Sequence, residues 1–276
     1  MTDISFTKTH ITLMNTDIYC TYKLNEKPPI VLVHGFVASS YTFHPIMSLL
    51  AQHFSVIAID LPGFGRSEKS TTFHYTYENY ANLIITLLDH FNLEHVHIAG
   101  HSMGGQIALY TARQHSKRIG KLVLINSSAY WGRVYKWARM ATYLPFSHLA
   151  VKRVVLRNDV ESTLKNVLYD PSLITEELIQ EYSKPLQEKK FYKALGRFIR
   201  QREGDLTRDE LLKIRTPTLL IWGKDDTVVP LVAGKQLKND LPHATLICYE
   251  KAGHLITEEY PEDISVNIRK WCLSGE

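Results

Sequence analysis

A chain of 276 residues, 45% hydrophobic and 22% charged, can bury one sizeable core, or a core and a smaller lid, in the balance of a soluble globular protein. The net charge of +4 is small and dispersed, with no zinc-finger spacing or dense basic tract, which argues against nucleic acid as a partner. Cys20, Cys248 and Cys272 are odd in number and far apart, the chain opens without a basic region and apolar run, and no stretch reaches about 18 apolar residues. A cytoplasmic protein with no disulfide framework and no membrane span is expected.

Residues 4–13 and 18–24 read as strands around Asn15-Thr16-Asp17, the form of an N-terminal hairpin. Ile30 to Val33 is a continuous apolar run after Pro28-Pro29, as expected for a strand buried on both faces, and it ends in His34-Gly35-Phe36. A short helix over 43–54 and a strand over 56–60 lead into a loop with two glycines, Asp60-Leu61-Pro62-Gly63-Phe64-Gly65-Arg66-Ser67. That loop lacks the spacing of a dinucleotide or phosphate-binding turn. Tyr77, Tyr80, Ala81, Ile84, Leu87, Leu88 and Phe91 recur at helical spacing behind Thr76, a good N-cap. The run 93–99 is strand-like, Gly100 to Gly105 turns sharply, a helix of small apolar residues follows, and 119–126 is another strand.

This rhythm is the sequence form of an α/β fold, a mainly parallel central sheet flanked by helices. It breaks at Tyr130. Residues 131–213 show no convincing strand, are interrupted at Pro145, Pro171 and Pro185, and carry 16 Lys/Arg against 11 Asp/Glu. They are expected to form a helical cap inserted between core segments 1–130 and 214–276, where strands at 217–222 and 244–249 alternate with helices near 233–241 and 264–271.

Gly100-His101-Ser102-Met103-Gly104 places a serine on a strand-to-helix turn, with glycines where side chains would collide with a strained nucleophile. The Met103 N–H at the helix start and the Phe36 N–H after the first tight turn can form an oxyanion hole, worth on the order of 3 kcal/mol per donor. A structural glycine turn would account for the elbow alone and leave the later loops unexplained. Gly223-Lys224-Asp225-Asp226 and Gly253-His254 each follow a strand, at the sheet edge where sites collect. His254 can take the Ser102 proton, and Asp225 or Asp226 can orient it. No His/Cys cluster or H-E-x-x-H sequence suggests a metal, and this chemistry needs neither metal nor cofactor.

In order, these blocks resemble the α/β-hydrolase family, serine-nucleophile branch with a helical cap, over about residues 18–271. The resemblance implies Ser102 as nucleophile, His254 as base and Asp226, four residues before Pro230, as the acid. Phe36 and Met103 are the implied oxyanion donors. Serine argues against the aspartate-nucleophile epoxide hydrolases and haloalkane dehalogenases. The expected activity is hydrolysis of small-molecule carboxylic esters with small to medium apolar acyl groups. Two alternatives remain: a carbon–carbon bond hydrolase of dienoic diketone-like acids, and a ligand sensor or signalling protein with little turnover. The apolar, aromatic run 130–144 has three open readings: packing within the cap, contact with a membrane surface, or lining of the substrate pocket, for which Trp131, Tyr135 and Met140 are the candidates.

Overall fold

In the computed structural model, which describes residues 4–275, the apolar runs form one eight-stranded sheet. Residues 1–3 and 276 of the expected core lie outside the described residues. The strands are β1 (Thr7–Leu13), β2 (Thr16–Lys23), β3 (Pro29–Val33), β4 (Ser55–Ile59), β5 (Val96–His101), β6 (Ile119–Ile125), β7 (Thr218–Gly223) and β8 (Ala244–Tyr249). Their order is β1-β2-β4-β3-β5-β6-β7-β8. The expected hairpin pairs β1 with β2, β2 is antiparallel to β4, and every other neighbouring pair is parallel.

Both faces of the central strands are buried, which is why they read as unbroken apolar runs. Ile30 and Leu32 join one core layer with residues of α1 (His44–Ala51) and the last helix, while Val31 and Val33 join the opposite layer. That second layer draws on α2 (Tyr77–His90) and α3 (Met103–Gln114). The Thr76 hydroxyl caps α2, accepting the Asn79 N–H at 3.1 Å.

Residues 131–213 hold α4 (Lys136–Ala141), α5 (Ser147–Val155), α6 (Val160–Val167), α7 (Glu176–Ser183), α8 (Lys189–Gln201) and α9 (Arg208–Leu211), with no strand. The helix that seats this insertion is α8, whose Phe191, Leu195 and Phe198 recur at i, i+4 and i+7 and are buried in the main core. A smaller cluster of Leu164, Leu168 and Leu178 closes on Leu255 of the core. The reading of 130–144 as packing within the insertion is corrected here: neither α4 nor α5 has a buried residue. The short α4 spends its inner face on Ala138 and Arg139, so its large side chains turn outward. After the insertion come α10 (Leu231–Asp240), α11 (Ile256–Glu259) and α12 (Pro261–Leu273), the last of which supplies Ile264 and Ile268 to the first core layer.

Candidate active site

From β3 the chain runs first to β4 on one side and then to β5 on the other, so the carboxyl ends of β3 and β5 border a topological switch, the usual position for a ligand crevice. Ser102 follows β5 directly and adopts φ 53° and ψ −120°, a region that few residues other than glycine enter. Backbone bonds hold it there. Its N–H donates to the Ile125 carbonyl at 3.0 Å, and its own carbonyl accepts the N–H groups of Gly105 at 2.9 Å and Ser128 at 3.0 Å. The flanking glycines are required by space: a Cβ on Gly104 would lie 2.0 Å from the Val33 oxygen, and one on Gly100 would lie 2.3 Å from the Gly104 oxygen.

The loop after β7 carries Asp225 and Asp226, and the structure separates them. Asp225 faces solvent, whereas Asp226 is buried with its Oδ2 2.8 Å from Nδ1 of His254, in the loop after β8. Asp226 Oδ1 accepts the Val228 and Val229 N–H groups at 2.8 and 2.9 Å, and Oδ2 also accepts the Asn126 amide at 2.5 Å. Burial by itself would raise this carboxyl's pKa. The hydrogen bond and charge of His254, with the Val229 N–H and the Asn126 amide, outweigh it and hold the group below its ordinary value. An ionised Asp226 only accepts, so Nδ1 of His254 carries the proton and Nε2 is left as the basic nitrogen. Ser102 and His254 line the same two cavities, with no hydrogen bond between them among the described residues. Such bonds are often loose until a ligand is bound.

The N–H groups of Phe36 and Met103 donate to no protein acceptor among the described residues. The fully buried His34 braces the Phe36 turn: its Nδ1 donates to the Gly35 carbonyl at 2.7 Å and its Nε2 accepts the Leu61 N–H at 2.9 Å. Burial lowers the His34 pKa, consistent with this neutral bracing form.

Two neighbours of the site escaped the sequence reading. Asn126, at the end of β6, is fully buried with φ 44°, and its amide bonds both Asp226 and the Gly253 carbonyl, the latter at 3.0 Å. The available signal was an asparagine, which tolerates left-handed backbone, at the carboxyl end of a central strand. His101 donates from Nε2 to the His254 carbonyl at 2.8 Å, and burial pushes its pKa down to about 3.

Two cavities, of about 170 and 410 Å³, meet at Phe36, Ser102, Val167 and His254. Val155, Val160, Leu164, Leu186 and Leu255 give the smaller an apolar wall. The larger is lined by Trp131, Val134, Phe198, Ile199 and Val228, with a polar group of Tyr77, Ser128, Arg202 and Asp205. Within that group Arg202 donates to the Tyr77 hydroxyl at 3.0 Å and the Gly132 carbonyl at 2.9 Å, and lies 3.6 Å from Asp205. Burial raises the Asp205 pKa to about 6 against the lowering pull of the Trp131 N–H and Arg202. Of the three pocket candidates, Trp131 reaches the larger cavity. Tyr135 and Met140 line neither cavity and are 76% and 63% exposed, a correction that follows from the outward turn of α4. Among the described residues no group of three or more His, Cys, Asp or Glu could hold a metal ion, and no helix is long and apolar enough to cross a membrane.

A family model described as alpha/beta hydrolase fold matches residues 28–261. An uncharacterized hydrolase, YugF, of Bacillus subtilis (strain 168) is 44% identical over 250 residues, covering 91% of this chain and 92% of that protein. A 2-hydroxy-6-oxononadienedioate/2-hydroxy-6-oxononatrienedioate hydrolase of Burkholderia vietnamiensis (strain G4 / LMG 22486) is 28% identical over 84% of this chain and 83% of its own. Among solved structures, a membrane phospholipase A described as a bacterial virulence factor superposes with a TM-score of 0.80 at 25% identity, covering 96% of this chain and 85% of that one.

Proposed function

Since the chain belongs to the α/β-hydrolase family and is a hydrolase of that fold, we propose that it cleaves carboxylic esters of small to medium apolar acyl groups through Ser102, His254 and Asp226. The observation that carries this reading is the buried Asp226–His254 pair, whose His254 lines the same cavities as Ser102, beside two N–H groups with no protein partner among the described residues. In the proposed reaction His254 Nε2 takes the Ser102 proton as Oγ adds to the acyl carbon. The oxygen's developing charge is received by the Phe36 and Met103 N–H groups. The alcohol leaves with the proton from His254; His254 then takes a proton from water as the water oxygen adds to the acyl carbon, and returns it to Ser102 Oγ as the acyl–Oγ bond breaks and the acid departs. The insertion acts as a lid, and the two cavities hold the two halves of the ester.

Carbon–carbon cleavage is the second reading, favoured by the named activity of the Burkholderia relative. A dioate carries two carboxylates. The larger cavity offers one arginine, already set against Asp205 and committed to two protein acceptors, and the smaller cavity has no cationic lining residue. A neutral ester suits that electrostatic balance better. The test is Ser102→Ala against wild type: a fluorophosphonate should add its mass to wild type alone, and S102A should lose turnover of p-nitrophenyl butyrate. Labelling of both proteins, or S102A turnover equal to wild type, removes Ser102 from the role. Turnover of a dienoic diketone acid far above that of any ester would replace the ester reading, and folded protein with no turnover of either would favour a ligand sensor.

A further inference from the structure

Singly exposed apolar side chains are ordinary on a protein surface, but their distribution here is not. Residues 131–158 are about a tenth of the chain, yet they hold half of the exposed large hydrophobic side chains among the described residues. Tyr135, Trp137, Phe146 and Val154 are each 74% exposed or more. The same 28 residues contain six bases, Arg133, Lys136, Arg139, Lys152, Arg153 and Arg157, and no acid.

The packing explains why these side chains face outward. Both α4 and α5 lie on α8, where α5 spends Val151 and Val155 on the core and leaves Leu149, Lys152, Arg153 and Val154 on the far side. At the corner between them Phe146 has φ 60°, a left-handed conformation that is costly for a bulky residue and that glycine or asparagine would take more easily. Folding alone does not favour phenylalanine there.

We infer that the outer face of α4 and α5 docks onto an anionic lipid bilayer, with the two short helices lying in the plane of the headgroups. Aromatic rings with an apolar body and a polar edge suit that boundary, and the bases match its negative charge. A second copy of this chain is the poorer occupant. In a two-fold dimer the patch would face itself, setting Lys136, Lys152, Arg153 and Arg157 against their own copies, with no acid within residues 131–158 to pair them. Docking would also bring the cavities to the lipid, because Trp131 and Val134 line the larger and Val155 and Asn158 the smaller.

The 276-residue protein can be sedimented with vesicles of phosphatidylcholine alone and of phosphatidylcholine mixed with phosphatidylglycerol, at low and high salt. The expected result is partitioning at least tenfold stronger on the anionic vesicles, falling as salt rises. K136E combined with R153E should abolish that preference, and W137A should weaken binding severalfold on anionic vesicles. F146G separates docking from folding: it should keep or raise the melting temperature, because strain is relieved, while lowering vesicle binding. Equal partitioning on both vesicles, none on either, or binding indifferent to these substitutions overturns the inference. So does a concentration-dependent dimer that W137A dissociates, which would assign the face to a second copy.

Discussion

At the scale of single residues, the site depends on side chains that hold others in place. Asp226 receives two backbone N–H groups, an amide and an imidazole, so it is both ionised and fixed in orientation. Asp226→Asn removes the charge and invites the wrong His254 tautomer, and steady-state kinetics should show kcat for p-nitrophenyl butyrate falling by about 10³- to 10⁴-fold. Asp225→Asn, at an exposed carboxylate, should change it by less than about twofold. Equal losses would count against Asp226 as the orienting acid. Asn126 tethers Asp226 and the Gly253 carbonyl, and Asn126→Ala should lower kcat about tenfold with little change in KM. Because Asp226 is held below its ordinary value, its contribution to stability is present at neutral pH and lost as pH falls through its folded-state pKa. Loss of the Asn126 amide should move that acid limb to higher pH. A KM effect without a kcat effect, or an unmoved acid limb, would assign Asn126 elsewhere.

At the scale of elements, the insertion meets the core where Leu178 of α7 packs with Leu255, just before α11. Burial first, and then the neighbouring Glu177 carboxylate, push the Glu258 pKa up to about 7, and its Oε1 is buried without a hydrogen-bond partner. A raised carboxyl binds its proton more tightly in the folded state, so its favourable contribution is complete below the unfolded pKa and is lost as pH rises toward about 7. Glu258→Gln removes the charge that the folded state resists. It should stabilise the protein above pH 7 on the order of 1–2 kcal/mol and near pH 4 hardly at all, read as melting temperature against pH. A gain of equal size at both ends of the range would show that charge is not the cause.

At the scale of the whole molecule, the two cavities flanking Ser102 make chain length the informative substrate variable. Each added buried methylene favours binding by about 0.8 kcal/mol, or roughly fourfold, until the wall is reached. Across p-nitrophenyl acetate, butyrate, hexanoate, octanoate and palmitate, kcat/KM should peak between butyrate and octanoate and fall at palmitate. A steady decline from acetate would remove the apolar acyl site. An optimum at palmitate would show that the insertion leaves a long-chain opening.

Much of this arrangement is determined locally and is therefore legible in the amino-acid order. Central strands buried on both faces are written as unbroken apolar runs, the hairpin by Asn15 at its turn, and the start of α2 by Thr76. The elbow at Ser102 is equally local, since the glycines that its close approaches require sit two positions to either side. Tertiary structure decided what depends on distant segments. Residue types alone left Asp225 and Asp226 open and only the family resemblance favoured Asp226; the structure separates them because the loop after β8 brings His254 to only one of them. Asn126 joins loops about a hundred residues away, a link that no local pattern encodes. The outward direction of Tyr135, Trp137 and Met140 was likewise undetermined. An amphipathic helix shows that it has an apolar face, but what that face meets depends on which neighbour is already covered, and α8 had taken the seat on the core.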